Sequence, residues 1–338
     1  SNNYQIADIS SIEVKKLISL EEDSSIYFQD EKFYFTRKQS LIIFDLNESK
    51  EIFKIELNLD KEEKIIKIFE YSNKKFVLSN KSKLFLFEDN KITLILNLDR
   101  FINDETILID EKLIIFTVFG GLYEINLKEY SSSFKGKFSV NHGVNFSAEN
   151  YNYRNSISHL FNSGTLIFLS QESYNLETNY FLEDLNILSS LGYFETFIDA
   201  PFSYNNYLYF IDRSGLISVF NPLESEFLWE VDINSIIKDF NFSEDGNLIL
   251  LTNNDILILD DIGNLIIKLE HLNETPLKLI SEKDKILIID EKGIDILDFM
   301  SGSRINFYKN KFEGNVEFIN FNSKSYIKDS KDLYIISE

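Results

Sequence analysis

The side chains that most often perform catalysis or bind metal ions are scarce in this chain. Its 338 residues include three histidines, one tryptophan and no cysteine. Without cysteine there is no disulfide, thiolate nucleophile, iron–sulfur cluster or cysteine-ligated zinc. His142, His159 and His271 are far apart in the sequence and lack the short spacing of a zinc-protease helix. We therefore predict no metal, no cofactor and no catalytic residue, and we interpret the histidines as surface or loop residues.

Adjacent acidic residues are the other groups that suggest chemistry. They occur at Glu21–Asp23, Glu62–Glu63 and Asp260–Asp261. Neighbouring side chains on a strand point to opposite faces, so we interpret these acids as solvated turn residues rather than as a catalytic pair or a calcium loop. The chain also has no G-x-S-x-G nucleophile elbow, and no helix is predicted after Gly120-Gly121. A serine hydrolase and a phosphate loop are therefore not supported.

The charge of the chain restricts its partners. It has 34 basic and 55 acidic residues, which give a formal net charge of −21. Such a surface repels nucleic acid and anionic lipid. Hydrophobic residues make up 44% of the chain, which is enough for a full core, but no run of about 18 apolar residues is present to span a membrane. We expect a protein partner, no nucleic acid, and membrane association only through a lipid anchor upstream of Ser1.

Short strand-like runs recur along the whole chain. Clusters of turn-forming residues separate runs rich in Ile, Leu, Phe and Val, mostly at steps of about 40 residues. In the second unit the runs are 65–70, 75–79, 83–88 and 92–98. Runs of this length and composition predict strands, and four strands in each repeat of about 40 residues are typical of a propeller blade. The clusters that mark the repeats begin at Asp30, Asn73, Asp110, Asn162, Asn205, Glu244, Lys283 and Asn322.

The repeat predicts an all-β fold, an eight-bladed β-propeller of four-stranded blades in a single domain over residues 1–338. The eighth unit has only three strand-like runs, whereas the N-terminal region has a spare strand over 12–18. We expect this strand to join the last blade, which would close the ring and remove an exposed sheet edge. The predicted blades lie near 24–57, 65–98, 106–139, 157–197, 199–232, 237–270, 275–308 and 315–336.

The fifth unit carries the most specific motif of the chain. It opens at Pro201, has an Asn205-Asn206 hairpin, continues through Asp212 and Gly215, and ends in an apolar-Trp-Glu pattern at Trp229. This pattern resembles the PQQ-type, tryptophan-docking repeat, and the sixth and seventh units carry weaker copies. The resemblance implies that Trp229 packs between blades, so we interpret it as a packing residue rather than as a recognition residue.

An eight-bladed PQQ-type ring without a second domain resembles the BamB family, the periplasmic lipoproteins of the outer-membrane β-barrel assembly machinery. The resemblance implies a non-enzymatic, monomeric scaffold in the periplasm, associated with the outer membrane. It also implies a partner, the POTRA domains of the barrel-forming subunit, which bind to loops on one face. Two alternatives stay open: a propeller enzyme with a site in the central channel, similar to the quinoproteins, and an interaction propeller of another family.

Two segments, 141–155 and 171–197, lie outside the repeat pattern. Long loops on a rigid scaffold are where binding residues concentrate. In BamB-like proteins, the loop before the corresponding Pro-initiated blade holds part of the partner-binding surface. Carried over by position, the resemblance implies that the partner-binding residues are Leu191, Tyr193, Phe194 and Glu195.

Overall fold

The protein consists of short strands joined by turns. The computed structural model describes residues 12–138, 147–153, 156–161, 164–185, 187, 198 and 201–337, and of 147–153 it describes the backbone. Over these residues the chain forms 32 strands and no helix. Accordingly, none of the described residues lies in a helix that is long and apolar enough to cross a membrane.

The strands are β1 (Glu13–Ser19), β2 (Ile26–Gln29), β3 (Lys32–Arg37), β4 (Ser40–Asp45), β5 (Lys50–Glu56), β6 (Ile65–Tyr71), β7 (Lys74–Ser79), β8 (Lys83–Glu88), β9 (Lys91–Asn97), β10 (Ile102–Ile109), β11 (Lys112–Thr117), β12 (Gly121–Asn126), β13 (Ser131–Lys137), β14 (Ser147–Tyr153), β15 (Ser156–Phe161), β16 (Thr165–Ser170), β17 (Leu176–Phe181), β18 (Phe202–Tyr204), β19 (Tyr207–Ile211), β20 (Leu216–Asn221), β21 (Glu226–Asp232), β22 (Ile237–Phe242), β23 (Leu248–Thr252), β24 (Asp255–Leu259), β25 (Leu265–Glu270), β26 (Pro276–Glu282), β27 (Lys285–Asp290), β28 (Gly293–Asp298), β29 (Arg304–Lys309), β30 (Glu317–Phe321), β31 (Lys324–Lys328) and β32 (Asp332–Ser337).

The strands form eight four-stranded sheets, which we number in chain order, so that β2–β5 form the first sheet and β6–β9 the second. In seven of them consecutive strands pair in sequence order. The predicted fold class, an all-β propeller of eight four-stranded blades, is confirmed. Residues with positive φ make the tight hairpin turns: Asn205 and Asn206, for example, have φ of 48° and 65°. Asparagine tolerates this left-handed conformation, and two such residues in succession are typical of the type I′ turn that joins antiparallel strands.

The eighth sheet is completed by the N-terminal strand, as predicted. Its strand order is β1-β32-β31-β30, and β1 pairs antiparallel with β32 from Glu13 opposite Ser337 to Ser19 opposite Asp332. The pairing gives β32 a hydrogen-bonded neighbour on both sides. It therefore joins the two ends of the described chain within one sheet.

The fourth sheet differs from its predicted bounds. Its first strand is β14, which lies in the segment 141–155 that the sequence suggested was outside the repeat. The second and third strands of this sheet are β15 and β16, which end at Phe161 and begin at Thr165, so the predicted cluster, of which Asn162 and Ser163 lie outside the described residues, does not follow the first strand. The repeat therefore keeps its usual step up to this sheet, and the extra length follows β17.

The chain divides into two compact units. One comprises Ser1–Glu22, Asp212–Phe220 and Glu226–Glu338, and the other comprises Asp23–Ile211 and Asn221–Ser225. The single domain expected from the repeat stays a prediction.

In each unit the core lies between neighbouring sheets. In the first unit, Ile249 and Ile258 of the sixth sheet share a buried cluster with Ile288 of the seventh. In the second unit, Phe76 of the second sheet shares one with Leu113 of the third. The second and third strands of a sheet are covered on both faces, so they have continuous apolar runs such as KLIIFT. The fourth strands are mostly exposed or half-buried, and in EFLWEVD of β21 the two alternate residue by residue.

Polar side chains at strand ends hold the turns. Asp329, at the end of β31, accepts hydrogen bonds at one carboxylate oxygen from the backbone N–H groups of Lys331 and Asp332, at 2.9 and 2.8 Å. Its other oxygen accepts from the N–H of Glu313, in the segment that leads into the same sheet, at 3.0 Å. One side chain thus fixes the turn and the entering chain. Residues with the turn-holding role in other sheets are Ser79, Thr117, Asp212, Thr252 and Asp290.

Candidate interaction site

The four residues predicted to bind a partner, Leu191, Tyr193, Phe194 and Glu195, lie outside the described residues, so their role stays a prediction. The described residues on either side are anchored. Ile187 is buried and donates its backbone N–H to the carbonyl of Leu182 at 2.8 Å, and Ile198 is buried and donates to the carbonyl of Ile211 at 2.9 Å. The predicted site is therefore flanked by two fixed points.

Trp229 packs between neighbouring sheets, as the tryptophan-docking motif implied. It lies on β21 of the fifth sheet, and its indole N–H donates a hydrogen bond to the carbonyl of Asp261 in the sixth sheet at 2.9 Å. The indole ring lies over Gly263, where an added Cβ would be only 2.6 Å from Cε3. This close approach requires a glycine at that position.

The interpretation of the histidines as surface or loop residues is wrong for His159, whereas His271 lies in the loop between β25 and β26. His159 is fully buried on β15, where its ring stacks on Phe116 with centroids 3.7 Å apart. Burial lowers the pKa of His159 to about 3, because a charged imidazole would lose its hydration. His271 is also buried, and its Nε2 lies 2.9 Å from the carbonyl of Thr252 while Nδ1 accepts from the N–H of Asn273. The two imidazoles therefore have structural roles, His159 by ring stacking and His271 by hydrogen bonding.

The acidic pairs also include one side chain that is not solvated. Glu63 is buried and accepts a hydrogen bond from the hydroxyl of Ser79 at 2.6 Å. The ammonium of Lys83 lies 2.7 Å from its other oxygen. The ion pair and the hydroxyl satisfy the buried carboxylate. Because Glu63 lies in a turn, its side chain was expected to be solvated. An acid that is ion-paired and hydrogen-bonded can be buried there instead.

Asp239 is a buried acid that joins two sheets of the same unit. Its carboxylate accepts the backbone N–H of Leu279, in the next sheet, at 2.8 Å and lies 3.3 Å from the ammonium of Lys278. Burial raises the pKa of Asp239. No group of three potential metal ligands occurs among the described residues. The buried carboxylate of Asp239 is satisfied by a backbone N–H group and an ammonium group of the next sheet.

A pocket at one end of the third sheet is the most distinctive exposed feature of the described residues. We call it the aromatic pocket, and its cavity is about 340 Å³. Phe101, Phe119 and Phe134 line it with 43%, 61% and 58% of their surface exposed. Large apolar groups left in water at this density usually mark a binding surface. The other lining residues are Asp99, Arg100, Thr117, Gly121, Tyr123 and Lys137.

Hydrogen bonds fix the segments that carry these rings. The N–H of Val118 donates to the carbonyl of Phe101 at 3.1 Å, which joins the entering chain to the turn between β11 and β12. In that turn, the hydroxyl of Thr117 accepts the N–H of Gly121 at 2.8 Å. Phe134 is opposite Tyr123 in the strand register, with ring centroids 5.3 Å apart. The pocket is thus held by strand pairing and turn hydrogen bonds before any partner binds.

The aromatic pocket carries positive charge, whereas the whole chain is acidic. Arg100 and Lys137 both line it, and neither has an ion-pair partner among the described residues. The ammonium of Lys81, paired with Asp60 at 3.0 Å, also lies 5.5 Å from the centroid of the Phe101 ring. In a chain of net charge −21, this is a local cationic and aromatic surface.

A second and larger groove lies in the other unit, between the seventh sheet and the segment that leads into the eighth. It encloses about 960 Å³ and includes Lys292, Lys311 and Glu313. Here two of the three lysines are neutralised within the chain, because Lys311 lies 2.7 Å from Glu313 and Lys292 pairs with Glu274. The hydrogen bonds from Lys311 and Lys331 lower the pKa of Glu313 to about 2.

Sequence reasoning did not find the aromatic pocket. Phe101 and Phe134 are far apart in the sequence, and only strand register brings them to one sheet end. The available signal was Phe119, a large apolar residue beside the turn at Gly120-Gly121. Residues in such a turn are usually exposed, so an aromatic residue there indicates a surface group.

The fold and the exposed turns define this chain as an eight-bladed propeller with a candidate interaction surface, and solved structures share that fold. The computationally designed Ika8 protein matches with a TM-score of 0.63 and 10% identity over 95% of this chain and 99% of that one. BamB from Moraxella catarrhalis matches with a TM-score of 0.62 and 12% identity over 96% and 97%. Sqt1 from Saccharomyces cerevisiae matches with a TM-score of 0.66 and 12% identity over 96% and 99%.

At these identities the likeness shows the fold alone. No protein-family model matches the chain, and no curated protein does. The function must therefore be argued from the residues of this chain and from the motif in its fifth sheet.

Proposed function

We propose that this protein is a non-enzymatic scaffold that binds another protein. The observation that carries the proposal is the aromatic pocket, in which three phenylalanine rings, each at least 43% exposed, are held at one sheet end by hydrogen-bonded segments. Exposing such rings to water is unfavourable, and aromatic residues are enriched where proteins bind each other. A partner that covers the rings recovers that free energy without reordering the sheet.

The finer proposal is a role like that of BamB. In this role the protein acts in the periplasm at the outer membrane and binds the POTRA domains of the barrel-forming subunit. Support comes from the tryptophan-docking motif of the fifth sheet, with Trp229 hydrogen-bonded to Asp261, and from the likeness of the fold to BamB. The proposed contact residues outside the pocket are Leu191, Tyr193, Phe194 and Glu195.

A direct binding measurement tests this role. The full-length gene product, with its own N-terminus, is immobilised and titrated with the purified POTRA domains of the barrel subunit from the same organism. We expect saturable binding, weakened at least about tenfold by combined Leu191→Ala, Tyr193→Ala and Phe194→Ala substitution. Leu223→Ala is the control, because Leu223 is an exposed apolar residue in the turn between β20 and β21. Absence of binding would refute the BamB-like role, and binding unaffected by the three substitutions would refute this choice of contact residues.

A further inference from the structure

We propose that the aromatic pocket binds a short acidic segment of the partner, anchored by one aromatic or long aliphatic side chain. This inference rests on the proposed function, since it names the chemistry of the protein segment that the scaffold recognises. The juxtaposition that carries it is three exposed phenylalanine rings and two cations, for which the described residues provide no ion-pair partner, in one concave site of the third sheet.

The size of the pocket determines how much of a partner can enter. Its volume of about 340 Å³ is at the small end of the roughly 300–1,000 Å³ found for sites that enclose a small ligand. It therefore takes one large side chain and the backbone beside it, rather than the flat face of a folded domain. Phe119 and Phe134, more than half exposed, provide the apolar surface that this anchor covers.

Charge determines what flanks the anchor. Arg100 and Lys137 have no ion-pair partner among the described residues, whereas nearby Lys135 lies 3.7 Å from Glu124 and Lys81 lies 3.0 Å from Asp60. Of the described residues that line the pocket, one is an acid, Asp99. Carboxylates on a bound segment would pair with the two cations, while the remainder of an acidic protein repels acidic chains elsewhere. The complementarity thus selects the site as well as the ligand.

The larger groove at Lys292 and Lys311 is less suited to binding an acidic segment. Two of its three lysines, Lys292 and Lys311, already have carboxylate partners within the chain, so an incoming acid would have to displace Glu274 or Glu313 from them. Lys309 lines that groove and has no ion-pair partner among the described residues. It therefore serves as a control, since its reversal changes the net charge of the protein without touching the aromatic pocket.

The test uses the full chain and a library of random twelve-residue peptides displayed on phage. Enriched peptides are synthesised with a fluorescent label, and their affinity is measured by polarisation. We expect enriched sequences to carry an aromatic or long aliphatic residue flanked by Asp and Glu. Affinity falls at least tenfold with R100E/K137E and with F119S/F134S, stays within twofold of the parent with K309E, and weakens as salt is raised. Thermal unfolding of each variant verifies that it is folded.

Three results would overturn the inference. One is enrichment of peptides without acidic residues or without an apolar anchor. Another is acidic peptides whose affinity is the same for the parent and both pocket variants. The third is tighter binding of a labelled oligothymidylate, lost in the same variants, which would assign the cations and rings to phosphate and base stacking.

The same variants separate this inference from the proposed function. POTRA domains that bind R100E/K137E and F119S/F134S as tightly as the parent would refute the pocket as their site and leave the BamB-like role in place. Acidic peptides that bind the pocket, with POTRA domains that do not bind the protein, would refute the BamB-like role and retain the inference.

Discussion

Asp290 and Asp329 each use both carboxylate oxygens, one for a turn and one for the segment that enters the sheet. In other sheets Ser79 and Thr117 perform the turn role with a single hydroxyl oxygen. Because Asp, Ser and Thr can all accept hydrogen bonds from these N–H groups, the repeat keeps its geometry while the residue types at its positions differ. This explains at the residue scale why the chain has a clear period but few repeated residues.

At the same scale, His159 makes stability depend on pH. Its native pKa is lowered to about 3, whereas a histidine in the unfolded chain titrates near about 6.5. Below the unfolded pKa the unfolded chain binds a proton that the native state does not. Its contribution to stability is therefore present above about pH 6.5 and is lost as the pH falls toward 3. The expected loss is about 1.4 kcal/mol in unfolding free energy per pH unit.

His159→Leu tests this prediction. We expect the unfolding free energy of the parent, measured by urea denaturation at pH 7.0 and 5.0, to fall by about 2 kcal/mol more than that of the variant. All other ionisable groups are present in both proteins, so the difference reports His159. Equal falls in the two proteins would mean that His159 is protonated in the native state at pH 5.

At the scale of elements, the contact of β21 with the next sheet depends on a glycine. Gly263 has φ of 85°, and a Cβ there would lie 2.6 Å from Cε3 of Trp229. Gly263→Ala should therefore lower the unfolding free energy by about 1–2 kcal/mol, because alanine disfavours the left-handed conformation. The added methyl group should also displace the indole. Urea denaturation measures the loss, and the fluorescence of Trp229, the only tryptophan, reports the displacement directly.

Gly246→Ala is the matched control. Gly246 has φ of 84° in the turn between β22 and β23, and its N–H donates to the carbonyl of Ser243 as that of Gly263 donates to Asp260. We expect this variant to lose the conformational contribution alone and to keep the native emission spectrum. If Gly263→Ala cost no more than Gly246→Ala and left the spectrum unchanged, docking of Trp229 on Gly263 would be refuted.

At the scale of the whole molecule, β1 completes the last sheet from the other end of the chain. Removal of residues 1–19 should expose the edge of β32 and uncover its buried residues Leu333 and Ile336. An unpaired apolar edge destabilises a sheet and promotes association between molecules. We expect this chain to have a lower midpoint of thermal unfolding than a chain that lacks only residues 1–11 and keeps β1. We also expect it to form oligomers in light scattering, whereas the control chain does not. Identical melting and a monomeric state of both truncated chains would contradict this prediction.

Much of the fold could be predicted because its signal is local. Tight turns need residues such as Asn205 and Asn206 that tolerate positive φ, and strands buried on both faces need runs of apolar residues. The fourth sheet was the exception. Its first strand, SAENYNY, has few apolar residues, so neither alternation nor an apolar run marked it as a strand.

The candidate site was less predictable, since its residues have no shared local pattern. The exposure of Phe134 follows from its place on the outermost strand of the third sheet, and its neighbourhood with Tyr123 follows from register. In the same way, Glu63 and His159 are polar by sequence but buried in the fold. Burial of a polar group depends on partners that are distant in the chain.

Local signals in the sequence were enough to predict the all-β class, the period of the repeat, the eight four-stranded sheets and the use of an N-terminal strand in the last one. These follow from turn chemistry and from apolar runs, which act over a few residues. Which polar residues are buried and which aromatic residues share a pocket depends on contacts between segments that are distant in the sequence. Phe101, Phe119 and Phe134 meet because hydrogen bonds join the entering chain, a turn and an outer strand at one sheet end, and no local rule specifies that meeting.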